Sequence, residues 1–338
     1  MKRIFWAIMA VCTQLACAEV SDLQCQVEDA ENGKVRLSVS LPVIETRATG
    51  ASDEDKISNV QVLVFSTDTD LIEAYLSADS PDISKPLELT CTTGSKKIIV
   101  MVNSNVSYEK VLNSSDASLK SAELRYNTKD KHFMYGVKEV NLMSSQTVTV
   151  EVSRQIAKVV LKKVEVDFES EALAEADLIM KAVYMINVCN QIKIPYDAST
   201  FDSSYYSNAN LWYNKMRYQS DSYDAYLYDK VSDVPLNSDA SYTTGHYFYV
   251  FPNMAADSNA SLWSPRYTRM VVETTYMNNT YYYPVNIPNI KSNTVYTVSM
   301  KITRLGSSSP DIPVTTTSGG IEIDIKEWEY AKEINEVI

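Results

Sequence analysis

The chain has 338 residues, 45% of them hydrophobic, and carries 31 basic against 43 acidic side chains for a net charge of −12 at pH 7. An acidic balance disfavours nucleic acid and anionic lipid surfaces as partners, because like charge repels. Five widely spaced cysteines and two histidines supply neither a disulfide framework nor the spacing of a metal site, and no cofactor is expected.

Lys2-Arg3 followed by the apolar run Ile4–Val11 reads as a secretory signal peptide, residues 1–18. The run is well short of the roughly 20 residues that span a bilayer. Two processing readings compete. Ala16-Cys17-Ala18 fits cleavage after Ala18, whereas Leu15-Ala16-Cys17 resembles a lipobox that makes Cys17 a lipidated N-terminus, with Gln14 where such a box prefers an apolar residue. Cys12 and Cys17 belong to this region. Cys91 and Cys189 read as small apolar residues of strands or loops, and Cys25 has no partner at a suggestive spacing.

Val35, Leu37, Val39, Leu41 and Val43 are apolar at every second position of Lys34–Ile44, so a half-buried strand is predicted there. The polar stretch Glu45–Gly50 after it holds one basic residue, Arg47, in a setting that suits a protease-accessible loop. Ile321, Ile323 and Ile325 repeat the period near the other end, interleaved with Glu322, Asp324 and Lys326. Two strands with matching faces can fill one groove. A cut after Arg47 would free the first, and the second, from another copy, could replace it.

Between these ends the apolar runs are short and β-branched, at 58–66, 97–103, 147–152, 157–166, 247–251, 270–275 and 294–302. Such runs, separated by Ser, Asn, Asp, Gly and Pro, predict an all-β chain of antiparallel sandwiches. Short helices are expected near 104–112 and 170–177. A chain of this length favours two domains, with the seam near Ser153–Gln155. Without a Pro/Gly linker at that seam, close packing of the two is expected. Residues 196–246 lack strong alternation and are rich in Tyr, Ser, Asn and Asp, which reads as a long insertion. Its aromatic cluster includes Tyr205, Tyr206, Trp212 and Tyr213, with Tyr218, Tyr223, Tyr226 and Tyr228 nearby. These rings either cover a loop contact or stack on a sugar, and a host glycan or protein is the ligand on the second reading. An enzyme is not expected. His132 and His246 lie far apart without a partnering motif, the chain has eight glycines and no phosphate loop, and Asp68-Thr69-Asp70 reads as a hairpin turn.

Several segments, taken in order, resemble the FimA-type fimbrillins, the subunits of type V pili of Bacteroidales. They are Ile57–Phe65, Lys97–Asn103, Phe133–Gly136, Arg154–Val159, Tyr247–Asn253, and Tyr296–Ile302 followed by a Gly-Ser-Pro loop and Ile321–Trp328. The resemblance covers nearly the whole chain outside 196–246. It implies two transthyretin-like β-sandwich domains, here 48–153 and 154–338, after a pro-segment at 19–47. It implies export as a lipoprotein precursor held in outer-membrane lipid through Cys17, and cleavage of Arg47–Ala48 by an arginine-specific surface protease. The strand carrying Val35, Leu37, Val39, Leu41 and Val43 would then leave. A donor segment 321–338 of a neighbouring pilus subunit, with Ile321, Ile323, Ile325 and Trp328, would take its place in a cell-surface fimbria. An accessory or tip adhesin of the same pilus is the alternative.

Overall fold

Strands covered on one face alternate apolar and polar residues, whereas strands covered on both read as continuous apolar runs. Both kinds occur here. The computed structural model describes residues 33–41, 54, 56–107, 113, 122–123, 127, 130–193, 202–215, 225–258, 260, 263–312, 314 and 321–327. In chain order the strands are β1 Lys34–Ser40, β2 Asn59–Ser66, β3 Leu71–Asp79, β4 Leu87–Thr92, β5 Gly94–Val102, β6 Ala122–Glu123, β7 Met134–Leu142, β8 Gln146–Thr149, β9 Ser153–Arg154 and β10 Ala157–Val166. There follow β11 Leu178–Ile186, β12 Val188–Cys189, β13 Gln191–Ile192, β14 Trp212–Tyr213, β15 Tyr228–Leu236, β16 His246–Val250, β17 Thr268–Tyr276, β18 Asn279–Ile287, β19 Thr294–Ile302 and β20 Ile321–Glu327.

The first half packs the three-stranded sheet β4-β1-β8 on the five-stranded sheet β3-β2-β5-β7-β9, and the second half contains the sheets β16-β10-β19-β20 and β15-β11-β17-β18. The chain is all-β with mainly antiparallel sheets. Two pairings run parallel, β1 with β8 and β10 with β19.

The five-stranded sheet is covered on both sides. Val60, Val62 and Val64 face the β1 side, while Leu63 and Phe65 join the larger core that fills the second half. That double cover explains the unbroken run Val60–Phe65. It also explains why the one polar residue inside the run, Gln61, is buried yet bonded, accepting from the Tyr75 hydroxyl at 2.8 Å and donating to the Val106 carbonyl at 2.6 Å. Gly136 in β7 permits a close crossing, since a Cβ there would lie 2.1 Å from the carbonyl oxygen of Glu151. The chain passes from β9 to β10 through Arg154, Gln155 and Ile156, all buried, with no exposed linker.

The Asp68–Asp70 segment is the β2–β3 turn, with Asp70 at φ 54° and its N–H donating to Ser66. The helix expected at 170–177 shrinks to Glu171–Ala174. Of the helix expected at 104–112, residues 104–107 are not helical and 108–112 lie outside the described residues. Ser104 explains the first part, because its side chain bonds the backbone of Val106 and offers the chain a local alternative to helix.

Within 196–246 the chain forms β15, an integral strand of the sheet next to β11. Asp229, Lys230, Asp233 and Pro235 hide it from a search for alternation. An edge strand tolerates both proline and charge because one side of its backbone needs no partner.

Candidate functional site

β1 lies between β4 and β8. It runs antiparallel to β4, from Lys34↔Thr92 to Val39↔Leu87, and parallel to β8, from Leu37↔Gln146 to Ser40↔Thr149. Alternation puts Val35, Leu37, Val39 and Leu41 on one face, where they are 3%, 0%, 0% and 7% exposed. They share a cluster with Val62, Ile98, Val100 and Leu89. Cys91 sits directly opposite Val35 and is itself buried. The sequence reading therefore placed the inward face of this strand where the structure has it. Val43, Arg47, Ala48, Cys17 and Trp328 lie outside the described residues.

β20 is the edge of its sheet, antiparallel to β19, with Ile325 opposite Tyr296 and Ile323 opposite Val298. Opposite residues of a pair point to the same face. Tyr296 and Val298 are buried in the larger core, so Ile325 faces inward as well, yet it is 59% exposed. Ile323 is half-buried against that core. The strand has an apolar face that its own subunit covers only in part.

Seven residues beyond Arg47, Glu54 ties the start of the chain body to the second half. Its carboxylate accepts from Lys158 Nζ at 2.6 Å and from the Tyr249 hydroxyl at 2.7 Å. Burial by itself would raise this carboxyl, but the two hydrogen bonds and the Lys158 charge hold it below its ordinary value. These partners are 104 and 195 residues away, and no local pattern announces them.

His132 stacks on the same tyrosine, with ring centroids 4.5 Å apart, and is fully buried. Burial, then the nearby Arg154 charge, lowers its pKa to about 4 from an ordinary 6.5. Between those two values the unfolded chain binds more protons than the folded one, so stability falls as pH falls through that window. Denaturation midpoints from pH 7 down to 4 should show a loss of about 3 kcal/mol assignable to this residue. His132→Gln should remove that part of the slope. An unchanged slope would contradict the assignment.

The other histidine does acquire partners, contrary to the expectation from sequence. His246 Nδ1 lies 2.7 Å from Asp229 Oδ2, and its Nε2 meets the Tyr242 hydroxyl. Asp229 belongs to β15 and His246 to β16, so this bond joins the edges of two facing sheets.

Among the aromatic residues proposed as a ligand surface, Tyr206 and Trp212 are buried, and Tyr205 and Tyr213 pack on the core from a half-buried position. Tyr206 meets Tyr205 edge-on at 5.0 Å, and Trp212 packs on Trp263 at 5.7 Å. The Trp212 indole N–H donates to the Tyr206 carbonyl.

The sequence profile of the family described as "Major fimbrial subunit protein (FimA)" matches residues 35–165, from β1 to the end of β10. Among curated proteins, none matches the chain. Solved structures share its fold over most of both chains. A candidate cell adhesion protein of Bacteroides eggerthii is 18% identical, with a TM-score of 0.64 over 87% of this chain and 96% of that one. A second from Parabacteroides distasonis is 16% identical, with a TM-score of 0.64 over 89% and 98%. A fimbrilin (fimA) of Porphyromonas gingivalis W83 is 16% identical, with a TM-score of 0.58 over 88% and 99%. Residues 35–165, which contain β1 and the groove that holds it, place the chain in the FimA family of fimbrial subunits.

Proposed function

We propose that this fimbrial subunit is exported as an outer-membrane lipoprotein precursor through Cys17 and is cut between Arg47 and Ala48 by an arginine-specific surface protease. It then polymerises by exchange of strands. The segment bearing Val35, Leu37, Val39, Leu41 and Val43 leaves, and residues 321–338 of the next copy enter the vacated groove. On this reading 48–153 and 154–338 are the two sandwich domains of the mature subunit.

The observation that carries the reading is the contrast between the two strands. β1 is central in its sheet and fully covered, whereas β20 is an edge strand whose inward Ile325 stays exposed. While β1 belongs to the same chain, it competes for the groove at a high effective concentration. Cleavage would turn it into a separate peptide and remove that advantage. A strand removed in this way bares backbone donors and acceptors along β4 and β8, which another strand can pair. The Glu54 bonds to Lys158 and Tyr249 would keep the new N-terminal stretch docked as the pro-segment departs.

Purified precursor treated with an arginine-specific protease should give a ladder of polymers on a gel run without heating. Arg47→Ala should remain a monomer, and a chain lacking 321–338 should be cut but should not assemble. Normal polymerisation by either variant would sink the reading.

A further inference from the structure

The groove and the strand proposed to enter it also fix how the two would fit, on the premise that strand exchange is the assembly step. We infer that Ile321, Ile323 and Ile325 of one copy take the places of Val35, Leu37 and Val39 in the next. The incoming strand runs in the direction β1 runs, and Glu327 and Trp328 lie at the Leu41 end of the groove.

Burial decides the register. The positions of Val35, Leu37 and Val39 are 3%, 0% and 0% exposed, and each faces a β4 residue: Cys91, Leu89 and Leu87. The proposed fit puts isoleucine in all three and no charge in any. A shift of two residues one way carries Glu327 into the Val39 position, where a carboxylate would have no water. A shift of two the other way sets Gly319 opposite Cys91 and leaves a void the size of a valine side chain. Any odd shift turns Glu322, Asp324 and Lys326 inward, because the period is two.

Chemistry at the two ends of the groove decides the direction. Beyond Val39 lies a recess of about 190 Å³, lined by Leu41, Pro81, Ile83 and Leu87 with Lys85 beside them. Apolar walls next to a cation suit the sequence Glu327-Trp328. At the opposite end Thr92 donates to the Glu73 carboxylate, whose cation, Lys96, is already engaged with it. A reversed strand would bring Glu327 to that carboxylate. On the outer face the proposed fit sets Asp324 opposite the exposed Glu88, a like-charge pair that Lys326 on the same face offsets.

Cys91 provides the test, since the residue seated opposite it reveals the register. Fibres are grown from full-length precursors carrying one added cysteine at Gly319, Ile321, Ile323 or Ile325, oxidised mildly, and mapped for disulfides between subunits. Ile321→Cys should cross-link to Cys91 of the neighbour on the order of tenfold more than the other three, because a disulfide requires Cα atoms within about 7 Å. Cys91→Ser should abolish the cross-link. Dominant cross-linking from position 319 or 323 would overturn the register, and from 325 the direction, with strand exchange left standing. Fibres that form with no cross-link from any of the four would overturn strand exchange through this groove. If the Ile321→Cys precursor does not fold, Ile323→Cys with Leu89→Cys in a Cys91→Ser background reads the same register one step along the strand.

Discussion

Intact precursor exposed to a thiol reagent under native conditions should leave Cys91 unmodified, and cleavage followed by loss of the pro-segment should make it reactive. Cys91 is covered by β1, with Val35 directly opposite. Burial, then the nearby Glu73 carboxylate, pushes its thiol up to about 11 against an ordinary value of 9.0. Since the thiolate is the attacking form, departure of the strand should raise the labelling rate by about two orders of magnitude at neutral pH, before any gain in access. Assembly should then protect Cys91 again. Cys189, also buried, lies in the larger core and should stay unreactive throughout. Peptide mass mapping separates the sites from Cys25, which would leave with the pro-segment. Equal labelling of Cys91 before cleavage and in the open monomer would mean that β1 is not its cover.

Leu37→Ala should weaken the precursor and leave the fibre as it is. Leu37 is wholly buried among Leu89, Val62 and Val100, and truncating such a side chain typically costs about 2–5 kcal/mol. If β1 is absent from the mature fibre, the cost falls on the precursor alone. Denaturant titration of the precursor should show the loss, while the temperature at which assembled fibres dissociate should match wild type. Faster release of the pro-segment after cleavage should accompany it, because part of what holds β1 has been removed. Fibres weakened as much as the precursor would mean that the strand stays in place.

Legibility varied with the number of covered faces. β10 and β19 were read with their observed boundaries, and β2 to within a residue, because continuous or regularly alternating apolar residues are a local property of the sequence. β15 and β18 were missed. Each contains a proline, Pro235 and Pro284, and each forms an edge of its sheet, where a missing donor is tolerated. β11 changes face at a bulge between Met180 and Ala182, which breaks any simple period. The partners of Glu54 and the Asp229–His246–Tyr242 contact depend on strand neighbours far apart in the chain, so they carried no signal.

The alternation of Val35 to Leu41 and of Ile321 to Ile325 is complete in the sequence, because side-chain direction along a strand follows from backbone geometry alone. It determined which residues face a core, the all-β class and the likeness between the two segments. What it left open was how well each face is satisfied. Only the tertiary structure seats β1 between two partners with its face fully covered and leaves β20 at an edge with Ile325 in water. That difference lies in which strands pair and which sheet lies opposite. Burial is a property of neighbours, and neighbours are set by the fold rather than by the period.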